Sequence, residues 1–177
     1  MRKIAVAASA FLLAATWLNA QQQALEVQQS NGFVEALLQN LGWRQAVIGR
    51  QLPAGAVVTS WVDASAKLGY GDSVVSVEQL THLTVLDLGT GLVRLSLESG
   101  GIRVETAAIV FEVQFHGVVI KIEKGVAVLN DGILKVEAGN VTVIGAQDSP
   151  LVIPVGSSVS LISSPEGPLF PSLLPGP

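Results

Sequence analysis

Alternation of apolar and polar side chains runs through much of the middle of this chain and limits it to a sheet-based fold. Val93, Leu95 and Leu97, for example, alternate with polar residues. The same period of two recurs in the segments 66–70, 102–105, 111–116 and 118–123. Such a period places one set of side chains on a core and the other in water, as β-strands do.

Residues that favour turns separate these segments. Ser30-Asn31-Gly32 is typical of a hairpin turn, because Asn and Gly tolerate positive φ. Gly117 lies where the alternation changes parity, which predicts a β-bulge. The best helix candidate, Phe33 to Leu41, ends at Gly42, and we interpret it as a strand followed by a loop.

These patterns together predict one all-β domain, which we place at residues 24–162 of the 177. Many short strands at near-regular spacing favour a two-layer β-sandwich or β-roll. A solenoid-like second half is the alternative, because glycines recur there beside short β-branched segments. Those glycines are Gly117, Gly125, Gly132, Gly139 and Gly145.

Residues 1–20 have the pattern of a secretory signal peptide. Arg2 and Lys3 form a basic start, an apolar run extends from Ile4 to Leu18, and Ala20 is a small residue at the expected cleavage position. The run is shorter than the roughly 20 residues that a bilayer-spanning helix needs. We therefore expect a periplasmic or secreted protein with no transmembrane span after cleavage, and an uncleaved anchor is the alternative.

Residues 163–177 form a proline-rich tail. Five of the eight prolines lie within residues 165–177, and proline removes donors from sheet ladders and blocks helices. The tail is therefore expected to be extended. Because it also contains Leu169, Phe170, Leu173 and Leu174, it is expected to dock on its own domain or on a partner.

Charge and cysteine content exclude several classes of partner and chemistry. The formal net charge is −4 and the basic residues are scattered singly, whereas nucleic-acid binding normally requires a basic patch. We therefore expect no nucleic-acid partner. The chain has no Cys, which removes disulfides, thiolate metal sites, Cys nucleophiles and a lipoprotein anchor.

Catalytic and metal-binding patterns are weak. A zinc site needs three or four converging ligands, and the sequence offers only His82 and His116. His116 is expected on a solvated strand face with Glu112 and Gln114, and His82 at a half-exposed strand position. The aspartates lie beside turn residues, where their side chains bond nearby backbone. We expect neither an enzyme nor a cofactor.

Aromatic residues are the other candidates for a binding site. Trp43, Trp61 and Tyr70 could form a platform for a sugar, although such residues more often fill a core or pack on a sheet. Together with Phe170 from the tail, they are the residues we expect to contact a ligand or a partner.

Three segments, taken in order, resemble the FecR-like domain family over about residues 24–162. The first comprises GRQLPAGAVVT at 49–59 and DASAKL at 63–68. The second comprises GDSVVSV at 71–77 and LTHLTV at 80–85. The third comprises EKGVAV at 123–128 and VEAGNV at 136–141. The sequence departs from the family between Glu105 and Val113, where Thr106 matches but the usual Thr-Pro and Arg-Gly-Thr are absent.

The resemblance implies a β domain of the cell envelope. The regulators that give the family its name relay a receptor signal to a sigma factor through a transmembrane helix and a cytoplasmic segment. We expect this chain to have neither, and so to share the envelope domain without the cytoplasmic anti-sigma region.

The expected function is non-catalytic binding of an envelope component, most readily a protein, in a signalling or structural role. Sheet edges and the apolar tail are the expected contact surfaces. One alternative is a module that binds peptidoglycan or polysaccharide, which would need a row of exposed aromatic residues. Another is a structural protein that self-assembles by end-to-end stacking of β units.

Overall fold

The computed structural model describes residues 23–145 and 149–161, together with a two-residue strand at 173–174. All regular elements among these residues are β-strands, so the predicted all-β class is confirmed. The strands are β1 (Ala24–Asn31), β2 (Val34–Leu38), β3 (Gly42–Gln45), β4 (Gln51–Pro53), β5 (Val57–Ser60), β6 (Ser65–Tyr70), β7 (Ser73–Val77), β8 (His82–Leu88), β9 (Leu92–Ser99), β10 (Gly101–Thr106), β11 (Val110–Phe115), β12 (Val118–Asn130), β13 (Ile133–Ile144), β14 (Pro150–Ile153), β15 (Ser158–Ser160) and β16 (Leu173–Leu174).

The N-terminal and C-terminal predictions fall largely outside the described residues. The expected signal peptide, residues 1–20, lies outside them, as does all of the expected tail except β16. β16 pairs with β15, with Leu173 opposite Val159 and Leu174 opposite Ser158. Within the described part of the chain, no helix is long and apolar enough to cross a membrane.

Twelve of the strands form one continuous hydrogen-bonded path, in the order β3-β2-β5-β8-β9-β11-β12-β10-β7-β6-β1-β4. Neighbours along the path are antiparallel, apart from the parallel pair β9 and β11. The path curls, so that Cα atoms of β4 at one end come within 8 Å of those of β2 and β8 near the other. Its two halves therefore form the two layers of a roll.

The hairpin of β12 and β13 joins the two layers. The first part of β12 pairs with β11, and its last part, from Gly125 onward, pairs with β10. β13 follows it in antiparallel register, with Gly139 opposite Gly125. The second half is therefore a long bent hairpin and not the solenoid considered as an alternative. Gly125 and Gly139 lie inside strands, whereas the glycine spacing had suggested separate short strands.

The core lies between the layers and is made of the alternating apolar residues. Val93, Leu95 and Leu97 on β9 are all buried, while Arg94 between them and Glu98 after them are exposed. The same alternation holds along β10, β11 and the first part of β12, as predicted, but along β6 it holds only as far as Leu68, because Gly69 is buried too. Burying each large side chain contributes roughly 1.5–3 kcal/mol, so the pattern that predicts the strands is also the main source of stability.

Two turn predictions are wrong. Ser30-Asn31-Gly32 forms a corner and not a hairpin, because β1 pairs with β4 and β6 while β2 pairs with β3 and β5. Gly117 is not a bulge. His116 and Gly117, with φ of 46° and 81°, form the two-residue turn between β11 and β12. Positive φ at both central residues gives a turn whose twist matches that of the flanking strands.

The ends of the strand path carry features that oppose further strand pairing. Arg44, on β3, lies opposite buried Ala36 and so occupies the core side of an edge strand. β4, at the other end, is three residues long and ends with Pro53, which has no backbone N–H. Short edges, proline and inward-facing charge are common protections against edge-to-edge association.

Candidate functional site

An exposed apolar surface lies on the outer side of the sheet, where β2 begins and β5 ends. Phe33 and Trp61 contact each other there, with ring centroids 6.0 Å apart and ring planes tilted by 53°. Val62 and Leu80 lie in the adjoining loops. The exposed fractions are 51% for Phe33, 51% for Trp61, 63% for Val62 and 56% for Leu80. We call these four residues the apolar patch.

Backbone hydrogen bonds hold the three segments of the apolar patch together. The Trp61 amide donates to the Phe33 carbonyl at 3.1 Å, and the Leu80 amide donates to the Trp61 carbonyl at 3.4 Å. The Asp63 amide donates to the Gln79 side-chain oxygen at 3.0 Å. Residues that are far apart in the sequence therefore form one surface.

Leu80, in the apolar patch, and the neighbouring Asp63 have left-handed backbone conformations. Asp63 has a φ of 56° and Leu80 a φ of 55°. Asp adopts this region fairly readily, but a branched apolar residue such as Leu does so rarely and with strain. The Leu80 side chain is also mostly in solvent, so its burial does not offset that strain.

A buried hydroxyl network supports the patch from below. Thr81 is almost fully buried, and its hydroxyl donates to the Gly101 carbonyl at 2.9 Å and accepts from the Gly101 amide at 3.0 Å. The Thr81 amide donates to the Ser60 hydroxyl at 3.0 Å, and that hydroxyl donates to the Glu78 carbonyl. The loops under Trp61 and Leu80 are therefore held in place.

Carboxylates lie next to the apolar patch. The Trp61 indole N–H donates to Glu35 at 3.3 Å, and Glu35 lies on the outer face of β2 because Val34 and Ala36 on either side are buried. Asp63 and Glu78 are both exposed. The three segments 33–35, 61–63 and 78–80 each contain one acidic residue and no Lys or Arg.

Trp43 lies on the same outer face as Trp61, at the edge of the sheet. It is opposite Leu37 in the pairing of β2 and β3, and 45% of it is exposed. Leu37 is two residues from Glu35, or roughly 7 Å along the strand. Trp43 therefore shares the outer face of the sheet with the apolar patch, and two of the residues expected to contact a partner lie on one face.

Tyr70 lies elsewhere and has a structural role. It packs against the core, and its hydroxyl donates to the Gly89 carbonyl at 2.9 Å. Burial, and secondarily the carboxylate of Asp87, raises the pKa of the Tyr70 phenol above its usual value. Tyr70 is therefore not part of an aromatic platform with the two tryptophans. Phe170, the fourth candidate, lies outside the described residues.

The two histidines do not form a common site. His82 is half-exposed on β8, as expected, and its Nδ1 is 3.0 Å from the Thr59 hydroxyl. His116 is in the β11–β12 turn and not on the strand face with Glu112 and Gln114, so that prediction is wrong. Within residues 23–145 and 149–161, no group of three His, Asp or Glu side chains could hold a metal ion.

A shallow open groove of about 460 Å³ lies beside this turn, between the ends of β9 and β11 and the start of β12. Its lining includes Glu98, Phe115 and His116. The His116 ring meets the Phe115 ring edge-on, with centroids 4.4 Å apart. The groove is open to solvent, although Ser96, Glu98, Gln114 and His116 contribute to its lining, whereas sites that bind small molecules usually enclose most of the ligand.

Elsewhere on the outer surface, charged side chains pair with one another. Arg94 on β9 lies 3.0 Å from Glu112 on β11 and 3.5 Å from Asp87 on β8. Arg103 on β10 lies 2.8 Å from Glu105 and also bonds Glu137 on β13. Exposed pairs of this kind contribute little to stability, about 0–1 kcal/mol each.

Sequence patterns missed three residues of the apolar patch, Phe33, Val62 and Leu80, as well as the adjacent Glu35. Phe33 follows a turn signal, and Val62 precedes an aspartate that we assigned to a turn. A large apolar residue at a turn rarely reaches the core, and this position is the sequence feature that could have indicated an exposed apolar surface.

Comparison with known proteins shows that this chain is similar in fold to solved structures. Two crystal structures, at 2.50 Å and 1.65 Å resolution and each of a candidate anti-sigma factor from Parabacteroides distasonis, are similar to this chain. Each has a TM-score of 0.54 and 13% sequence identity. The similarity covers 66% of this chain and 58% of the other. No family model matches this sequence, and no curated protein does.

Proposed function

We propose that this chain is a FecR-like domain of the cell envelope that binds another protein and takes part in regulation or signalling without catalysing a reaction. Two independent observations support the family assignment: the three motif segments in the sequence, and the fold shared with the candidate anti-sigma factor. That neighbour's description also favours a regulatory role over an enzymatic one.

The apolar patch is the observation that carries the binding role. Large side chains that are half or more exposed, contiguous and supported by a buried network are typical of interaction sites. Isolated apolar residues on a surface need no such explanation. At the patch, the rings of Phe33 and Trp61 contact each other and the loops that carry Val62 and Leu80 adjoin them. Trp is among the residues that contribute most to binding energy.

The periplasmic or secreted location belongs to the same proposal and depends on residues 1–20. Fractionation of cells that express the full chain, with N-terminal sequencing of the mature product, tests it directly. A product that begins near Gln21 in the periplasm or medium supports export. A full-length product in the cytoplasm contradicts it.

Crosslinking in cells tests the binding role. Full-length protein with a C-terminal tag is crosslinked, and the captured species are identified by mass spectrometry and then tested as purified components. One dominant envelope protein that also binds in vitro supports the proposal. Capture of glycan fragments alone, or of this chain alone, contradicts it.

Binding of peptidoglycan or polysaccharide is the second candidate, because Trp43 and Trp61 are exposed on one face. Sedimentation with insoluble peptidoglycan would compare the wild-type protein with a Trp43→Ala, Trp61→Ala double variant. Sedimentation of the wild-type protein, but not of the double variant, with peptidoglycan would favour the glycan-binding function.

Self-assembly through strand pairing is less favoured by the geometry. Arg44 faces the core side of β3, and Pro53 ends β4, so the two ends of the main strand path are poor templates for another copy. Association through the outer face remains open to test by the same crosslinking experiment.

A further inference from the structure

We infer that the apolar patch, with its carboxylates, docks a protein segment in which an apolar side chain lies beside Lys or Arg. This inference rests on the proposed binding function and specifies its surface and the chemistry of its partner. It follows from the charge of the three segments, from the rings at the centre of the patch, and from the backbone of Leu80.

Charge complementarity identifies the occupant as basic. Glu35, Asp63 and Glu78 adjoin the apolar patch, and the segments that carry them contain no basic residue. The other acidic side chains described above, such as Glu112 and Glu137, are already paired with Arg94 and Arg103. Among the residues that the structure describes, no ion pair includes Glu35, Asp63 or Glu78. These carboxylates are therefore available for a cation from another molecule, and Glu35 is held at 3.3 Å from the Trp61 indole nitrogen.

The aromatic rings favour the same occupant. The face of a Trp ring attracts Lys or Arg through its negative quadrupole, an attraction that strengthens when water is excluded. Trp61 is half-exposed and bonds Glu35 through its indole N–H, so a ring and a carboxylate lie close enough for one cation to meet both. Val62 and Leu80, which are aliphatic, provide surface for an adjacent apolar side chain of the partner.

The carboxylates disfavour an anionic lipid surface as the occupant of the apolar patch, and the aliphatic residues disfavour a glycan. An anionic lipid surface attracts basic and not acidic segments. A neutral glycan could stack on Trp61, but it would leave Val62 and Leu80 exposed. A protein segment with both basic and apolar groups covers all of these features.

Leu80 provides the sharpest test, because its conformation and its exposure both oppose the stability of the free protein. Asn adopts positive φ more readily than Leu and has no large apolar surface. Leu80→Asn should therefore raise the Tm of the free protein while it weakens docking. A residue with a purely structural role would not change stability and binding in opposite directions.

The experiment places a photo-crosslinking amino acid at position 80 of the full chain in cells, with position 86 as the matched control. Leu86 is also exposed, at 40%, but lies on β8 away from the patch. The segment captured at position 80 is sequenced by mass spectrometry, synthesised as a peptide, and titrated against the wild-type, Leu80→Asn, Trp61→Ala and Glu35→Gln proteins.

The expected result is capture at position 80 and not at 86, of a segment with Lys or Arg beside an apolar residue. Its affinity should fall at least about tenfold in Leu80→Asn and Trp61→Ala, and several-fold in Glu35→Gln. The effect of Glu35→Gln should shrink at high salt, because salt screens exposed charges.

Other outcomes separate this inference from the proposed function. Capture of a protein at position 86 but not at 80 would support the proposed binding function but contradict the apolar patch as its docking surface. Capture at 80 of a segment without a basic residue, of a glycan, of a second copy of this chain or of its own residues 162–177 overturns the stated partner. Capture at neither position, together with no partner in the tagged-protein experiment, overturns both.

Discussion

Gly125 and Gly139 lie directly opposite each other in the β12–β13 hairpin, and each lies so close to the backbone of the other strand that it has no room for a side chain. Their φ values are 132° and 83°. A Cβ at Gly125 would overlap the Ala138 carbonyl, and a Cβ at Gly139 would overlap the Lys124 carbonyl. The bend that carries β12 from one layer to the other therefore requires both glycines.

The first prediction follows from this close approach. Gly139→Ala should lower the free energy of unfolding by at least about 3 kcal/mol, because a backbone clash adds to the strain of positive φ. Gly42→Ala is the matched control, since Gly42 has a φ of 67° and nothing within 4 Å of the added Cβ. That variant should cost only about 1–2 kcal/mol. Equal losses in urea denaturation would contradict the role of the clash.

The second prediction concerns Thr81, whose hydroxyl bonds both the amide and the carbonyl of Gly101. Thr81→Val keeps the shape but removes the hydroxyl that the buried Gly101 amide bonds, whereas the Gly101 carbonyl still accepts from the Glu78 amide at 2.9 Å. Stability should therefore fall by about 1–3 kcal/mol. Thr81→Ser keeps the hydroxyl and should lose less. Urea denaturation of the two variants measures the difference, and a valine variant as stable as the serine variant would argue against the network.

The third prediction concerns acid stability. The hydrogen bond that Arg103 donates to Glu137 holds the pKa of that carboxyl below its usual value. The pair therefore stabilises the fold above the unfolded-state pKa of about 4.3, and this contribution is lost as pH falls through the lower folded-state pKa. The difference in urea midpoint between wild type and Glu137→Gln should shrink as pH is lowered below about 4.3.

An Arg103→Gln background provides the control for this pH effect. Without the guanidinium, the pH-dependent change that Glu137→Gln produces in the urea midpoint should become smaller, because only Lys135 then lowers the pKa of Glu137. A difference that stays constant from neutral to acid pH in the wild-type background would show that the Arg103–Glu137 bond does not shift the titration.

The fourth prediction concerns alkaline stability and uses the single tyrosine of the chain. Burial, aided by Asp87, raises the pKa of Tyr70, so phenolate absorbance should appear above pH of about 10. The stability from the neutral phenol is complete below the unfolded-state pKa and is lost as pH rises through the folded-state value. Tyr70→Phe should remove this loss. A phenolate titration centred at or below the ordinary pKa of tyrosine, about 10, would contradict the raised pKa of Tyr70.

The sequence predicted the strands better than their pairing. Alternation at Val93, Leu95 and Leu97 locates β9 and its buried face without any knowledge of its neighbours. The parallel pairing of β9 with β11 depends on residues distant in the chain, and no local pattern encodes it. Gly117 illustrates the same difficulty, because a two-residue turn changes the parity of alternation just as a bulge does.

The candidate site could be predicted only in part, because it too depends on which strands pair. Trp43 and Trp61 could be selected by residue type, and the structure places both on one outer face. Tyr70 could not be separated from them, because whether an aromatic ring packs inward depends on the sheet around it. Leu80 was missed because only the pairing of β2, β5 and β8 brings its loop beside Trp61.

The position of β12 in the strand path has a consequence for synthesis of the chain. A ribosome delivers the strands in numerical order, and by the end of β9 the chain can form two groups, β3-β2-β5-β8-β9 and β7-β6-β1-β4, with no strand shared between them. β10 then extends one group and β11 the other, and β12 is the strand that pairs with both. A nascent chain that stops before Val118 therefore consists of two incomplete sheets, and it becomes one folded unit only when β12 emerges.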